Sequence, residues 1–252
     1  MNDIFKFEQS YGAITNQIRA EQHKHWLLQL FIGGNEKLKI KVLDKQINCN
    51  AILVNANVPH EFYSSDSIHF TMLIDPTSQL GRAMRKFFLK RDAYYLVSER
   101  VATEFRDLLA RGSQKENTAD YSLLLLRINE YFILSQGLEY DLRVEKVLKW
   151  INDCDCDATY HQVQSIAHEL TLSESRLSHL FRQETGLTLK GYILLHKMHK
   201  TYQLIFQGKS ITDAAIASGF DSSSHFSAAN KKLTGMSARD IISDSRFLKV
   251  IL

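Results

Sequence analysis

The hydrophobic rhythm of the chain changes twice. From Met1 to about Ile74 apolar residues fall in short runs, Ile14–Ile18, Trp26–Ile32, Leu38–Leu43, Ala51–Val54 and Ile68–Ile74, parted by turn signals such as Gly33-Gly34-Asn35. Several runs are rich in β-branched or aromatic residues, which predicts strands, and evenly spaced short strands predict a small barrel or sandwich. After Asp75-Pro76 the period becomes helical. Thr77–Leu89 reads as a helix with a basic end, Tyr94–Val97 as a short extended piece, and Ser98-Glu99 opens a helix with Val101, Phe105, Leu108 and Leu109 on one stripe. A polar connection, Arg111–Thr118, leads to Ala119–Gln136, where Leu123, Leu126, Ile128, Tyr131, Phe132 and Leu134 make more than one face apolar. A helix of that kind needs cover on two sides. Gly137–Asp141 then marks a domain boundary.

The third rhythm is that of a two-helix unit. In Ser165–Gly186, SIAHELTLSESRLSHLFRQETG, Ile166, Ala167 and Leu170 line a short first helix and Leu177, Leu180 and Phe181 the inner face of a second. Ser173 is placed to cap the second helix by accepting from an otherwise unpartnered backbone N–H. Ser175, Ser178, His179 and Arg182 then face outward, a small, polar and basic stripe suited to a major groove. A plain amphipathic hairpin fits the periodicity of this one segment equally. The unit recurs, however, in Ser210–Gly235, SITDAAIASGFDSSSHFSAANKKLTG. There Ala215 stands for Ala167, Gly219-Phe220 for Thr171-Leu172, Phe226 for Leu177 and Thr234-Gly235 for Thr185-Gly186, with one extra turn residue. That is an internal duplication.

The stretch ETGLTLKGYI, followed by SITDAAIASGF and HFSAANKKLTG, resembles the AraC/XylS family of bacterial transcription regulators over about Leu142–Phe247. The resemblance implies an α+β chain with a cupin-like β-barrel and helical pair for regulation and dimerisation in residues 1–137. It implies an all-α DNA-binding domain in residues 142–247, two helix-turn-helix units joined by a long helix. Leu142–Ile151 is the expected first helix of that domain and Leu189–Gln207 the connector, whose length of ~28 Å at ~1.5 Å per residue suits consecutive turns of one duplex face.

Matched to the family's motif, the DNA-facing residues are Ser173, Ser175, Arg176, Ser178, His179 and Arg182 in the first unit, and Ser223, Ser224, Ser227, Lys231 and Lys232 in the second. The small hydroxyls of the second unit offer little bidentate readout. The first unit is therefore expected to read most of the sequence and the second to anchor backbone and shape. The resemblance further implies a homodimer through Phe105, Leu108, Leu123, Leu126, Tyr131 and Leu134, recruitment of RNA polymerase by an activator, and in some relatives a small-molecule effector. The chain departs from the family's pattern at Thr171, often glycine, at Ala228, usually basic, at Asn230, usually a core aromatic, and at Ala238, commonly proline.

Charge agrees with this division. From Leu142 onward there are 14 Lys and Arg against 11 Asp and Glu, whereas the preceding part carries 17 of each, so the net charge of +3 lies wholly in the C-terminal part. Three cysteines, Cys49, Cys154 and Cys156, are an odd number without metal-site spacing and fit a reduced, cytoplasmic setting. The start, MNDIFKFEQSYG, has no apolar signal core and no run of about 18 apolar residues occurs, so neither export nor a membrane span is expected.

One set in the N-terminal half bears on chemistry. His23-Lys24-His25, then Gln29, then Pro59-His60 resembles the metal-binding pattern of cupins, with 23 and 25 on one face if they lie on a strand. Gln29 stands where those sites usually carry a carboxylate, so His23, His25, His60 and Tyr63 are read as lining an effector pocket, with no metal and no cofactor. Trp26, Phe62, Tyr63 and Phe70 suit either core or pocket. The alternative function is a cupin-type metalloenzyme fused to a helical domain; against it, the chain has no nucleophile-elbow signature or other catalytic set.

Overall fold

The computed structural model describes residues 2–7, 10–16, 19–63, 67–115, 118–133, 139–153, 162–243 and 245–248. The chain divides into two compact units, Met1–Leu138 with Lys231–Leu252, and Glu139–Asn230.

The first unit is built from strands β1 (Asn2–Phe7), β2 (Ser10–Thr15), β3 (Arg19–His23), β4 (Leu28–Gly33), β5 (Leu38–Val42), β6 (Lys45–Cys49), β7 (Ala51–Val54), β8 (His60–Tyr63), β9 (His69–Ile74), β10 (Tyr94–Leu96) and β11 (Ser245–Leu248). They form a seven-stranded sheet in the order β10-β7-β4-β9-β2-β1-β11 and a four-stranded sheet in the order β3-β8-β5-β6. Among the described residues the strands form two sheets, neither of which closes on itself, where the sequence predicts a barrel or sandwich. The ladder breaks at Asn50, where the chain leaves β6 in one sheet for β7 in the other and the Asn50 carbonyl accepts instead from Gly33 N at 2.8 Å. A second correction concerns the C-terminal end. The segment expected inside an all-α domain supplies β11, which pairs in parallel with β1 from Asn2↔Ser245 to Phe5↔Leu248.

Alternation along the central strands explains how both faces of the larger sheet are covered. Leu28, Leu30 and Ile32 of β4 and Ala51 and Leu53 of β7 belong to one apolar cluster with Phe70, Phe105, Leu108, Leu124 and Phe132. Phe31, Ile52 and Val54 turn to the opposite face and pack with Leu38, Ile40, Val42 and Phe62 of the smaller sheet. A strand buried on both faces reads as a continuous apolar run, as AILV does and as LQLFIG does apart from Gln29.

Two helices cover the first face: α2 (Glu99–Lys115) and α3 (Thr118–Phe132). Arg106 fixes α2 to the β4–β5 turn, donating to the carbonyls of Gly34 at 2.6 Å and Asn35 at 2.9 Å and to Asn50 Oδ1 at 2.8 Å. The helix expected over Thr77–Leu89 is instead a short α1 (Gln79–Ala83), N-capped by Ser78, that widens into a π-helical turn over Met84–Leu89.

The second unit is helical, with α4 (Leu142–Asn152), α5 (Val163–Glu169), α6 (Glu174–Thr185), α7 (Leu189–Phe206), α8 (Ile211–Ala217) and most of α9 (Ser223–Thr234). A final helix, α10 (Ala238–Ser243), follows. Val144, Val147, Leu148 and Ile151 of α4 are buried, as are Leu189, Tyr192, Leu195, Met198 and Ile205 of α7. The connector is tied to α4 by Tyr192 Oη donating to Asn152 Oδ1 at 2.9 Å, and to the turn after α8 by Lys197 Nζ donating to the Gly219 carbonyl at 2.7 Å. Among the described residues no helix is long and apolar enough to cross a membrane.

Candidate nucleic-acid interface and a histidine cluster

The internal repeat is visible bond by bond in the backbone. After α5, Thr171 N donates to His168 O at 3.0 Å and Leu172 N to Ala167 O at 2.9 Å; after α8, Gly219 N donates to Ile216 O at 2.9 Å and Phe220 N to Ala215 O at 3.0 Å. Both are Schellman turns, which require a left-handed residue just past the helix. Thr171 takes φ 52° and Gly219 φ 82°. Ser173 then caps α6 by accepting from Arg176 N at 3.2 Å, and Ser222 caps α9 by accepting from His225 N at 3.1 Å. At the far ends Gly186 N donates to Arg182 O and Gly235 N to Lys231 O, both at 2.9 Å. The Thr185 and Thr234 hydroxyls accept from Leu187 N at 3.1 Å and Met236 N at 3.2 Å. Each unit thus presents a helix of 12 residues after a turn of fixed geometry.

On α6, Leu177, Leu180 and Phe181 are buried, and Ser173, Ser175, Arg176, His179 and Arg182 are exposed with Ser178 half-buried. On α9, Phe226 and Asn230 are buried, Ser224, Ser227, Lys231 and Lys232 are exposed, and Ser223 is half-buried. Asn230 occupies the interior without an aromatic ring because Tyr202 Oη donates to its Oδ1 at 2.6 Å. Thr201 is buried on the connector and returns its hydroxyl to the Lys197 carbonyl at 2.8 Å. Neither polar residue is left unpaired, so the departure at Asn230 is absorbed locally.

The histidines of the first unit come together, though not as strand alternation predicts. β3 ends at His23 with an irregular register before it, and His25 lies beyond the strand. The rings nonetheless gather, His23 to His60 at 4.5 Å, His25 to His60 at 5.1 Å and His23 to His25 at 5.4 Å between centroids. Ring nitrogens of all three lie within 4.8 Å of one another. Each Nδ1 meets the carbonyl of a residue two positions away: Glu21 at 2.8 Å, Leu27 at 3.0 Å and Val58 at 2.9 Å. Nε2 of His25 and Nε2 of His60 lie 3.0 and 2.8 Å from Gln29 Oε1, and Gln29 Nε2 donates to Thr71 Oγ1 at 3.0 Å.

Burial holds the His25 imidazole down to about 4, against the raising effect of Gln29, with further lowering from His23. Burial first, and then repulsion from His25, takes His60 down to about 3, and burial lowers the partly exposed His23 as well. Beside the cluster, a Cβ placed on Gly235 would sit 3.0 Å from His23 Nδ1, so the ring packs on bare backbone. The side chain of Tyr63, grouped with these histidines in the sequence, lies outside the described residues.

Two polar residues here carry no signal in the sequence. Thr71 sits in an apolar strand and orients Gln29. His69 is buried against the Phe62 ring at 4.7 Å, and its Nε2 has no hydrogen-bond partner. Of the residues expected at a subunit interface, Phe105 and Leu108 are corrected to core positions, 1% and 2% exposed within their own unit. Leu123 and Leu126 of α3 are 42% and 43% exposed, and Tyr131 is partly buried against the core. Leu134, Cys154 and Cys156 lie outside the described residues; Cys49 is buried and unbonded.

Residues 166–243 match the family model of a helix-turn-helix domain. The HTH-type transcriptional activator RhaS of Escherichia coli (strain SE11) is 29% identical over 163 residues, 59% of this chain and 57% of that protein. RhaS of Escherichia coli O9:H4 (strain HS) matches over the same shares. The chain thus spans little more than half the length of the curated relatives it matches. In three dimensions the chain is similar to an apo ToxT variant from Vibrio cholerae strain SCE256, at TM-score 0.58 and 12% identity over 93% of this chain and 97% of that one. It is also similar to ToxT from Vibrio cholerae O395, at TM-score 0.53 and 13% identity over 92% and 95%. At these identities the likeness speaks for the fold alone.

Proposed function

We infer that the chain, through its C-terminal helical part, belongs to the AraC/XylS family of helix-turn-helix regulators, and from that premise propose that it binds a specific DNA site and controls transcription from it. One observation carries this reading: the same turn, cap and helix occur twice, and each copy leaves a polar face in solvent next to a buried apolar one. A hairpin that served only packing has no need to repeat both its turn geometry and its exposed face. In this reading Arg176 and His179 reach base edges, Arg182 holds phosphate, and Ser173, Ser175 and Ser178 fill the first groove. Ser223, Ser224 and Ser227 of α9 anchor backbone in the second, and Lys231 and Lys232 contribute charge.

The protein acts in this proposal as an activator that contacts RNA polymerase in the cytoplasm. It forms a homodimer through the α3 surface bearing Leu123 and Leu126, and the N-terminal unit receives a small effector near His23, His25, His60 and Tyr63. The functional division is 1–137 and 142–247, with β11 lent to the sheet of the first. The relative RhaS is a transcriptional activator, which supports the regulatory reading over the metalloenzyme alternative.

The deciding measurement is competition binding on the full chain with DNA from upstream of its own gene. Preference for one site over random duplex by at least ~10³-fold at physiological salt is expected. Binding no tighter than to random DNA removes the proposal. Replacing Lys231 or Lys232 by Ala should weaken all duplexes alike and lower the slope of log affinity against log salt by about 1 for each phosphate that is no longer neutralised.

A further inference from the structure

We propose that the basic turn after α1, through Lys86, Lys90 and Arg91, is a second phosphate-binding surface, one that grips duplex DNA flanking the site held by the helix-turn-helix units. It rests on the DNA-binding reading above. Between Asp75 and Asp92 the chain carries five cations, Arg82, Arg85, Lys86, Lys90 and Arg91, and no acid. Asp75 is itself only 2% exposed, its Oδ1 accepting from Thr77 N and Thr77 Oγ1 at 2.7 Å. The exposed charge from Pro76 to Arg91 is thus wholly positive. Outside Arg82–Asp92, the residues before Leu142 carry 12 Lys and Arg against 16 Asp and Glu, so a part of the chain that is neutral as a whole keeps its charges apart.

The backbone beneath these cations is fixed in an unusual form. The helix widens over Met84–Leu89 until Lys90 N donates to the Arg85 carbonyl, five residues back, at 2.7 Å. Lys90 then takes φ 51° and ψ −104°, a conformation that glycine adopts at no steric cost and lysine does not. Beyond it Asp92 N donates to the Leu89 carbonyl at 2.7 Å, and Asn55 holds the exit, its N donating to the Ala93 carbonyl and its Nδ2 to the Asp92 carbonyl, both at 2.9 Å. A lysine kept where glycine would be cheaper points to use of its side chain. Lys86, Lys90 and Arg91 are exposed and make no ion pair among the described residues. Arg82, by contrast, spends its Nε on the Thr77 carbonyl at 2.6 Å.

The apolar residues of the turn are already committed, and this selects the partner. Met84 and Leu89 are buried in the core, and Phe88 packs edge-on against Tyr95 and Phe132 at 5.2 and 4.8 Å between ring centres. The half-buried Phe87 lies beneath Lys86 Nζ, 5.6 Å from its ring centre. A surface that entered a lipid bilayer or a protein groove would offer an exposed apolar face. This turn offers cations. Duplex DNA asks for nothing else, since it presents one phosphate charge per ~1.7 Å of axis and releases a condensed counterion for each one neutralised. It is also the polyanion already at hand, because a duplex held by α6 and α9 stands at high effective concentration to the rest of the same chain.

The test uses the full chain and two duplexes, its preferred site alone and the same site with about 20 base pairs added at each end, which lengthen it by ~68 Å on either side. The wild-type chain is expected to hold the longer duplex at least ~10-fold more tightly at about 0.1 M salt, with a slope of log affinity against log salt steeper by about 2 to 3. Lys86→Gln with Lys90→Gln and Arg91→Gln should erase both gains and leave affinity for the shorter duplex and Tm unchanged. Lys90→Gly alone removes one cation and frees the backbone, so it should lower the slope on the longer duplex by about 1 while raising Tm. A Lys90→Gly chain that gains stability and loses no affinity would show the turn to be structural and overturn the inference. So would a triple variant that still gains from the flanks, which would leave the turn to another polyanion, and so would equal loss on both duplexes, which would put these cations on the site itself. A wild-type chain that holds the shorter duplex but gains nothing from the flanks overturns this inference alone, whereas one that holds neither duplex overturns the DNA-binding reading beneath it.

Discussion

Thr171 is a β-branched residue held at φ 52°, a region where side chains other than glycine's crowd the following carbonyl. The second unit places Gly219 at the equivalent point. Thr171→Gly should relieve ~1–2 kcal/mol of strain, part of which the more flexible unfolded chain takes back, leaving a net gain of about 1 kcal/mol. Gly219→Thr should cost a similar amount. Urea unfolding followed by dichroism checks both, and a loss of stability in Thr171→Gly would contradict the strain.

A second residue-scale prediction concerns acid. The His69 imidazole is lowered from 6.5 to about 4 by burial, so it is neutral when folded while the unfolded chain takes up a proton below 6.5. Its contribution is complete above pH 6.5 and is lost as pH falls through about 4, on the order of 3 kcal/mol in all. Burial raises Asp75 from 3.8 to about 6, which has the opposite sign: a penalty present above pH 6 that fades toward 3.8. His69→Leu should therefore flatten the fall in stability between pH 6.5 and 4. Asp75→Asn, which still accepts from Thr77, should stabilise at pH 7 and steepen that fall.

At the scale of elements, α6 and α9, the two helices proposed to read DNA, are equal in length and framing but unlike in chemistry. The exposed face of α6 carries Arg176, His179 and Arg182, whereas the middle of α9 presents Ser224, Ser227 and Ala228. Arg176→Ala and His179→Ala should relax base preference, each good bidentate contact being worth ~1–3 kcal/mol. Ser224→Ala and Ser227→Ala should alter it less. A binding-site selection with all four variants measures this, and equal losses would place the readout in both helices.

The difference between the helices was readable from the sequence, because helix faces follow from a period of 3.6 and the repeat supplied its own control. The sheets were less readable. β3, β6 and β8 do not show as apolar runs, since RAEQH, KQINC and HEFY are polar strands of the smaller sheet whose apolar positions are few. Their pairing is long-range, and local pattern carries no trace of it. The histidine cluster was legible as a spacing but not as a geometry. Its convergence depends on the β-irregularity before His23 and on Gln29 being turned by Thr71, neither of which has a sequence signature.

At the scale of the whole molecule, burial narrows the ways in which copies of the chain can associate. Phe105 and Leu108 hold α2 to its own sheet, so a substitution there unfolds the first unit rather than separating subunits. Leu123 and Leu126 lie three residues apart on α3, on the same side of that helix, and contribute little to the core beneath. Burying two leucine side chains in a partner is worth ~1.5–3 kcal/mol each, and a charge at either position reverses the sign. Leu123→Glu with Leu126→Glu should thus shift the proposed dimer to monomer in sedimentation velocity at micromolar concentration, with Tm changed by no more than a few degrees. It should weaken binding to a site with two half-sites while leaving a single half-site unaffected, because only the former gains from linked subunits. A double variant that remains dimeric would assign the interface to another surface, and one that unfolds would show these leucines to be structural.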